Sequence, residues 1–290
     1  MPSLRHIRTR IRSVKNTQKI TSAMKMVAAS KLRRAQEAIV AARPYARELG
    51  GLLHRLATRA SEGGRAAPHP LLAIHEPRRV LLVVMTSDRG LCGAFNTNIL
   101  RRAERFLQEH RGTYDELKVA TIGRRARDYF RKRRLATQRD FPGVFDNLSY
   151  RRASEIAEGL AEEFVAQDLD AVYLLYNEFK SAMSQKVVVE DLLPIRHEDL
   201  PAGEDIDYIY EPDRDAVLER LVPRYVATII WRALLESSAS EHGARMTAMG
   251  SATRNAAELV DKLTLQYNRA RQATITGELM DIVGGAEALK

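Results

Sequence analysis

Apolar residues recur at alternating spacings of three and four along the start of the chain, from Leu4 to about Leu56. One set of seam positions holds Leu4, Ile11, Gln18, Lys25, Leu32, Ile39, Ala46 and Leu53, and the other holds Ile7, Val14, Thr21, Ala28, Ala35, Ala42, Leu49 and Leu56. Most of these positions are apolar, and a repeat sustained over about eight heptads predicts a coiled-coil helix. Pro44 lies inside the pattern, so we expect it to kink or end the helix near Arg43.

A second seam of the same kind occupies the end of the chain, from Asp213 to about Val283. Its positions are Leu218, Leu221, Tyr225, Thr228, Arg232, Leu235, Ala239, His242, Met246, Met249, Thr253, Ala256, Val260, Leu263, Tyr267, Ala270, Thr274 and Gly277. We expect Pro212 to act as a first-turn proline and Pro223 to disturb the first turns. Gly284-Gly285 predicts the end of this helix.

The middle of the chain, from Pro68 to Tyr210, has a different pattern in which short apolar runs alternate with helical stretches. The expected strands are Arg79 to Thr86, Leu117 to Ile122, Ala171 to Tyr176 and Val187 to Val189, and the expected helices are Ala94 to His110, Arg124 to Arg134 and Tyr150 to Gln167. This alternation predicts a mainly parallel, Rossmann-like α/β sheet. The stretch from Ser61 to Pro70, rich in Gly, Ala and Pro, is the expected linker into it.

Element lengths predict how these segments are arranged. At about 1.5 Å per residue, the terminal helices would span about 80 and 105 Å, too long for either to bury its seam on the central domain. One helix leaves that domain and the other enters it, so we expect an antiparallel coiled coil, with Ala270 to Ala286 extending beyond the pair. The predicted domains are residues 1–60 (first helix), 68–210 (α/β domain) and 212–286 (second helix).

The charge distribution indicates an acidic partner. Lys and Arg exceed Asp and Glu by 46 to 37, and the first acidic residue is Glu37. A surplus of this kind favours nucleic acid, anionic lipid or an acidic protein surface. No run approaches 18 apolar residues, which argues against a membrane span, and the single cysteine, Cys92, excludes an internal disulfide.

Candidate catalytic chemistry is sparse. The run from Asp88 to Gly93 lies between a strand and a helix, where α/β proteins often hold phosphate, but it lacks the full glycine pattern of a dinucleotide loop and the Gly-Lys-Ser/Thr of a phosphate loop. We interpret it as a tight turn in which Gly90 and Gly93 supply backbone freedom. No spacing of His, Cys or carboxylates predicts a catalytic or metal site.

The basic run from Arg124 to Arg134 interleaves aromatic and cationic residues, as some nucleic-acid-binding proteins do. The commoner explanation is a solvated helix face, with Tyr129 and Phe130 turned toward the sheet. Three alternatives therefore stay open on the residues alone: a static coiled-coil scaffold, a nucleotide-dependent enzyme with coiled-coil arms, and a basic nucleic-acid-binding protein.

Four segments carry a family resemblance. The run from Asn16 to Lys31 resembles the N-terminal signature of ATP synthase gamma subunits, and Thr86 to Gly93 resembles the central turn of that family. Ala244 to Met249 and Tyr267 to Leu279 are similar to its C-terminal signature. The segments follow the family order over nearly the whole chain, so the chain is identified as a member of the bacterial F-type family.

The resemblance implies a rotor shaft that couples proton flow through a membrane c-ring to ATP synthesis or hydrolysis on other subunits. It implies contacts of this chain with the beta subunits through Met24, Lys25, Arg271, Gln272, Thr276 and Glu278. In the family, the gamma subunit has no catalytic role, and Mg-ATP or ADP is bound by the alpha and beta subunits. No cofactor, metal or nucleic acid is expected on this chain.

The implied partners are three alpha and three beta subunits, the epsilon subunit and the c-ring, with delta, a and b in the same complex. The implied location is the cytoplasmic face of the bacterial inner membrane, as a peripheral protein. Three glycines of the C-terminal helix, Gly243, Gly250 and Gly277, fall where bulkier residues are expected in the family. Each is expected to weaken the helix by about 1 kcal/mol.

Overall fold

The computed structural model describes residues 3–62, 69–166, 169–196, 211 and 213–288. It has five α-helices, α1 (Leu4–Glu62), α2 (Phe95–Glu109), α3 (Arg124–Lys132), α4 (Tyr150–Ala166) and α5 (Arg214–Ala288), and five strands, β1 (Arg79–Met85), β2 (Glu116–Ile122), β3 (Arg139–Phe141), β4 (Ala171–Phe179) and β5 (Gln185–Leu193). The chain divides into two compact units. The helical unit comprises residues 1–28 and 246–290, and the α/β unit comprises residues 29–245.

The sheet of the α/β unit has the strand order β3-β2-β1-β4-β5. Strands β1 to β4 run parallel to one another, whereas β5 pairs antiparallel with β4. β1 lies at the centre and is buried along almost its whole length, which explains its unbroken apolar sequence from Val80 to Met85. The predicted mainly parallel α/β sheet is therefore confirmed.

Helices cover both faces of this sheet. One face packs on α2 and α3 through a cluster that includes Phe95, Ile99 and Phe130. The other face packs on α4 and on the parts of α1 and α5 that belong to the α/β unit, through residues such as Leu56 and Val226. The α/β unit thus has three layers with the sheet in the middle.

The two terminal seams are confirmed by burial. Every predicted seam position of α1 is buried or half-buried except Lys25, which is exposed. The predicted seam of α5 is buried or half-buried from Leu218 to Ala270 and exposed at Thr274 and Gly277. The helices contain 59 and 75 residues, so the C-terminal helix is the longer one, as predicted.

Neither Pro44 nor Pro223 ends its helix, and the stop predicted at Gly284-Gly285 is wrong. α1 continues through Pro44 and α5 through Pro223. A proline removes one backbone hydrogen bond, and burial on both sides, at Ile39 and Leu49 for the first and at Val222 and Val226 for the second, holds each helix together. α5 also passes Gly284 and Gly285 and ends at Ala288, because two glycines weaken a long helix without terminating it.

The expected roles of two other segments are only partly described. Pro212 lies outside the described residues, but Asp213 accepts a hydrogen bond from the backbone N–H of Ala216 at 2.8 Å and so caps the start of α5. Most of the predicted linker, residues 63–68, lies outside the described residues, as do the expected domain boundaries at 210 and 212. The three-domain division stays a prediction.

Candidate functional site

Within the helical unit, the start of α1 and the end of α5 pack side by side in opposite directions. The Thr253 hydroxyl donates to the Thr21 hydroxyl at 2.8 Å, and one turn along α1 the side chain of Lys25 passes Gly250. A Cβ atom on Gly250 would lie 3.8 Å from the Lys25 side chain, in ordinary van der Waals contact, so the two residues face each other across the helix pair. The predicted antiparallel pairing is confirmed here.

The same direction holds inside the α/β unit, where other parts of the two helices face each other. Lys31 lowers the pKa of His242, whereas farther along α1 it is Arg43 that acts on the pKa of Glu236. Residue numbers therefore rise along α1 as they fall along α5. Burial, followed by Arg245 and then Lys31, lowers the pKa of His242 to about 4, so this histidine is neutral at physiological pH.

The six predicted contact residues all lie in the helical unit, at two separate places. Met24 is half-buried and Lys25 exposed on α1. Arg271, Gln272, Thr276 and Glu278 are all exposed near the end of α5. Because Lys25 faces Gly250, about 30 Å of helix separates it from Arg271 at 1.5 Å per residue. The structure does not bring the six together into one cluster.

A basic surface covers the start of α1. Residues 1–28 hold seven cations and no carboxylate side chain: Arg5, Arg8, Arg10, Arg12, Lys15, Lys19 and Lys25. Within the described part of the chain, none of the seven forms an ion pair. Several line a shallow groove of about 560 Å³ with Ile11 and Asn16. We call these seven residues the basic surface; it is suited to a carboxylate-bearing partner.

Large apolar side chains are exposed on the same unit. Ile20 is 61% exposed and Met26 65% exposed beside the basic residues of α1. On α5, Ile275, Leu279 and Met280 are also exposed. Exposed large apolar side chains of this kind are typical of surfaces that another protein covers.

The central turn, Thr86 to Gly93, belongs to the α/β unit and is held by the carboxylate of Asp88. This side chain is 1% exposed and accepts hydrogen bonds from the backbone N–H groups of Arg124, Gly143 and Phe145 at 2.8 to 2.9 Å. The Arg124 guanidinium lies 3.8 Å away. Asp88 therefore ties the turn to the N-terminus of α3 and to the loop before α4.

Backbone geometry at this turn partly matches the prediction. Gly93 has a φ of 57°, as expected for a residue that supplies backbone freedom, but the second left-handed position is Leu91, with a φ of 61°. Gly90 serves a different purpose, because a Cβ atom there would lie 2.7 Å from the Arg125 guanidinium. The turn is a structural joint, and the interpretation of it as a tight turn is confirmed.

Sequence reasoning missed the connection between this turn and α5. Arg245 donates to the carbonyl of Gly90 at 3.0 Å and pairs with the buried carboxylate of Glu241 at 2.6 Å. Burial raises the pKa of Glu241, and the Arg245 guanidinium opposes that shift. The i, i+4 spacing of Glu241 and Arg245 could have predicted the ion pair between them. The sequence pattern could not show that the Gly90 carbonyl lies against Arg245.

The remaining chemical groups of the described residues have limited reactivity. Burial, followed by the charge of Glu241, raises the pKa of the Cys92 thiol, which disfavours the reactive thiolate. No group of three or more His, Cys, Asp and Glu side chains in the described ranges has the geometry of a metal site. Within those ranges, no helix is long and apolar enough to cross a membrane.

Known proteins resemble this chain from end to end. A family model described as ATP synthase matches residues 3–289. The chain is 58% identical to an ATP synthase gamma chain of Anaeromyxobacter sp. strain Fw109-5 and 52% identical to one of Geobacter metallireducens, each over the full length of both proteins.

Solved structures agree with these sequence relatives. The chain is similar to a protein in the central stalk and c-ring structure of the Tetrahymena thermophila mitochondrial ATP synthase, with a TM-score of 0.62 and 26% identity, covering 80% of this chain and 99% of the other. A Euglena gracilis mitochondrial ATP synthase chain, at 21% identity, shares the fold with a TM-score of 0.66, covering 99% and 94%. This chain belongs to the ATP synthase gamma-chain family.

Proposed function

We propose that this chain is the rotating central shaft of an F-type ATP synthase, and that its helical unit transmits torque to the beta subunits. Turning of the c-ring by protons would rotate the chain, and its asymmetric surface would move each beta subunit in turn through different nucleotide affinities. In the opposite direction, ATP hydrolysis would drive proton pumping. In this role the chain also helps to regulate ATPase activity and proton flow.

The basic surface is the observation that carries this proposal. Seven cations at the start of α1 lack internal ion pairs among the described residues, and no acidic residue interrupts them in the sequence. Salt at physiological concentration screens the interactions of exposed charges over distances beyond about 8 Å. A dense basic run without acidic residues therefore attracts an acidic partner strongly only when that partner lies close to it. Acidic loops of the beta subunits, implied by the resemblance, are partners of that chemistry.

Two contact regions follow from the placement of the six predicted residues. Lys25 belongs to the basic surface, and Met24 and exposed Met26 lie beside it in the sequence. Arg271, Gln272, Thr276 and Glu278 lie on the far end of α5, where exposed apolar side chains accompany them. We assign the first group to lower beta loops and the second to upper beta loops.

We further propose that the chain is non-catalytic and that Mg-ATP and ADP bind only to the alpha and beta subunits. The central turn supports this, because Asp88 fills the position after β1 with a carboxylate whose oxygens already accept backbone hydrogen bonds. A buried carboxylate in that position repels phosphate.

The proposal includes the other partners that the family resemblance implies: the epsilon subunit, the c-ring, and the delta, a and b subunits. It also includes a peripheral position on the cytoplasmic face of a bacterial membrane.

A reversible cross-link tests rotation against a static scaffold. In a Cys92→Ser chain, we would introduce Lys25→Cys opposite a cysteine in an acidic loop of one beta subunit, and oxidise the assembled complex. A disulfide forms only when the two α-carbons come within about 7 Å. We expect ATP hydrolysis to fall in proportion to the cross-linked fraction and to return when a reductant is added.

The matched control is the same Lys25→Cys chain assembled with beta subunits that lack the introduced cysteine. Oxidation of this complex should leave ATP hydrolysis unchanged. A fully cross-linked complex that still hydrolyses ATP at its normal rate would contradict rotation and favour the scaffold. Absence of any cross-link, with the complex assembled, would instead contradict the placement of Lys25 at a beta loop.

A further inference from the structure

A cavity of about 390 Å³ lies within the α/β unit, between α1, the start of α4 and α5. Three aromatic side chains line it: Tyr45, Tyr150 and Trp231. The rings of Tyr150 and Trp231 meet edge to face, with centroids 6.3 Å apart. Small and branched side chains complete the lining, among them Ile39, Ala42, Ala46 and Leu235.

One carboxylate, that of Glu236, lines this aromatic cavity. Its Oε2 atom is buried and has no hydrogen-bond partner among the described residues. A buried acceptor without a donor loses its hydrogen bonds to water and gains none in return, so its persistence requires an explanation. A ligand in the cavity that donates to this carboxylate supplies one.

The charges around Glu236 favour a cation over an anion. Burial is the largest cause that raises the pKa of Glu236, and Glu178 and Glu190 raise it further, whereas Arg232 and Arg43 lower it. Arg232 is already paired with Glu190, and Lys180 is paired with Glu178. Arg232 and Arg43 both line the cavity, but the charge of Arg232 is neutralised by Glu190, and Arg43 is exposed, so solvent screens its charge more strongly.

We propose that this cavity is a binding site for an organic ammonium ion. Aromatic faces attract cations through their ring quadrupoles, and a carboxylate at the same site supplies the counter-ion. The apolar body of the ligand lies against Ile39 and Leu235, and its ammonium group donates to Glu236 between the aromatic side chains. This site is separate from the basic surface and does not depend on the rotor function.

The chain contains a built-in reporter for this test, because Trp231 is its only tryptophan. We would titrate the full chain with three probes of similar size: 2-phenylethylammonium, the neutral 2-phenylethanol and the anionic 3-phenylpropionate. Fluorescence of Trp231 measures binding. We expect the ammonium to bind at least about tenfold more tightly than the alcohol, a difference of about 1.4 kcal/mol, and the carboxylate to bind most weakly.

Glu236→Gln separates the charge from the shape of the site. It should remove the preference for the ammonium and leave binding of the alcohol unchanged, whereas Glu258→Gln, an exposed change on the same helix, should leave both unchanged. Because the pKa of Glu236 is raised, the wild-type affinity for the ammonium should increase as pH rises from 5 to 8. The Gln variant should lose that pH dependence.

Arg43→Gln is the complementary variant, and it should tighten binding of the ammonium by removing a like charge. Tighter binding of 3-phenylpropionate than of the ammonium would overturn the proposal and assign the cavity to anions through Arg43. Equal binding of ammonium and alcohol, or a preference that survives Glu236→Gln in a folded chain, would overturn it as well.

Discussion

The helical unit and the α/β unit bury their apolar residues in different ways. In the helical unit, the buried apolar side chains of the described residues form one narrow row: Ile7, Ala28, Met249, Ala256, Val260 and Leu263. A threonine pair, Thr21 with Thr253, occupies the middle of that row. The α/β unit instead buries both faces of its sheet under helices.

This difference separates surfaces that hold the fold from surfaces left for partners. The α/β unit ties Asp88 into hydrogen bonds with three backbone N–H groups, although one buried oxygen of Glu236 has no partner among the described residues. In the described part of the helical unit, seven cations form no ion pair and large apolar side chains are exposed. We therefore expect substitutions in the α/β unit to act on stability, and surface substitutions in the helical unit to act on assembly and coupling.

The largest effect is expected from Gly123→Ala, at the junction of β2 and α3. Gly123 has a φ of 93°, and a Cβ atom there would lie 2.0 Å from the carbonyl oxygen of Thr86. Strain and overpacking together should lower the free energy of unfolding by about 3 kcal/mol or more. Urea denaturation followed by circular dichroism measures the change.

Gly112→Ala is the matched control for this substitution. Its φ of 82° is also positive, but nothing lies within 4 Å of the added Cβ atom. We expect it to cost only about 1 kcal/mol, from the backbone conformation alone. Equal losses for the two variants would mean that the close approach of Thr86 to Gly123 does not constrain the α/β unit.

These contrasts also indicate how far a sequence can be interpreted. The seams were predictable almost position by position because burial follows the heptad, and β1, β2 and β4 were predictable because buried parallel strands are continuously apolar. β3 was missed because Arg139, Asp140 and Phe141 form a short edge strand with two exposed residues. An edge strand of three residues leaves no hydrophobic pattern.

The joints between elements were the least predictable features. The resemblance identified the central turn and Arg245 as parts of signatures, but only the fold brings the Arg245 side chain to the Gly90 carbonyl. The helices continue through Pro44 and Pro223 for a related reason. Tertiary packing on both sides of each proline outweighs its local effect on the helix.

An intermediate effect is expected from Leu263→Ala, which tests whether the narrow seam stabilises only the helical unit. Leu263 is 5% exposed, and truncating a buried leucine costs about 2 to 5 kcal/mol in a full core. We expect the loss of stability to lie near the lower end of that range, because a two-helix seam surrounds the Leu263 side chain with fewer neighbours than a full core does. Hydrogen exchange should accelerate in residues 4–28 and 246–288 and stay unchanged in the sheet.

Leu265→Ala is the control for the seam, since Leu265 lies two residues away on the same helix and is 60% exposed. Its truncation should change exchange very little. Faster exchange in the strands of Leu263→Ala would show that the two units share one cooperative transition, and the distinction between them would then be wrong for stability.

The smallest effect, and the one of opposite sign, is expected from Gly277→Ala at the end of α5. Nothing lies within 4 Å of a Cβ atom added at Gly277, and the residue is exposed in a helix interior, where alanine is more favourable than glycine by up to about 1 kcal/mol. The same change at Gly243, within the α/β unit, would place a Cβ atom 3.1 Å from the backbone of Ala182 and should destabilise the chain.

Stabilisation by alanine at Gly277 and destabilisation by alanine at Gly243 would sharpen the comparison of the two units. Glycine would then be needed for packing in the α/β unit and only tolerated in the helical unit. Hydrogen exchange of residues 264–288 measures the first change and urea denaturation the second. Faster exchange in Gly277→Ala would mean that glycine is required there for a reason internal to the chain, and the end of α5 could no longer be treated as a surface shaped only by its partners.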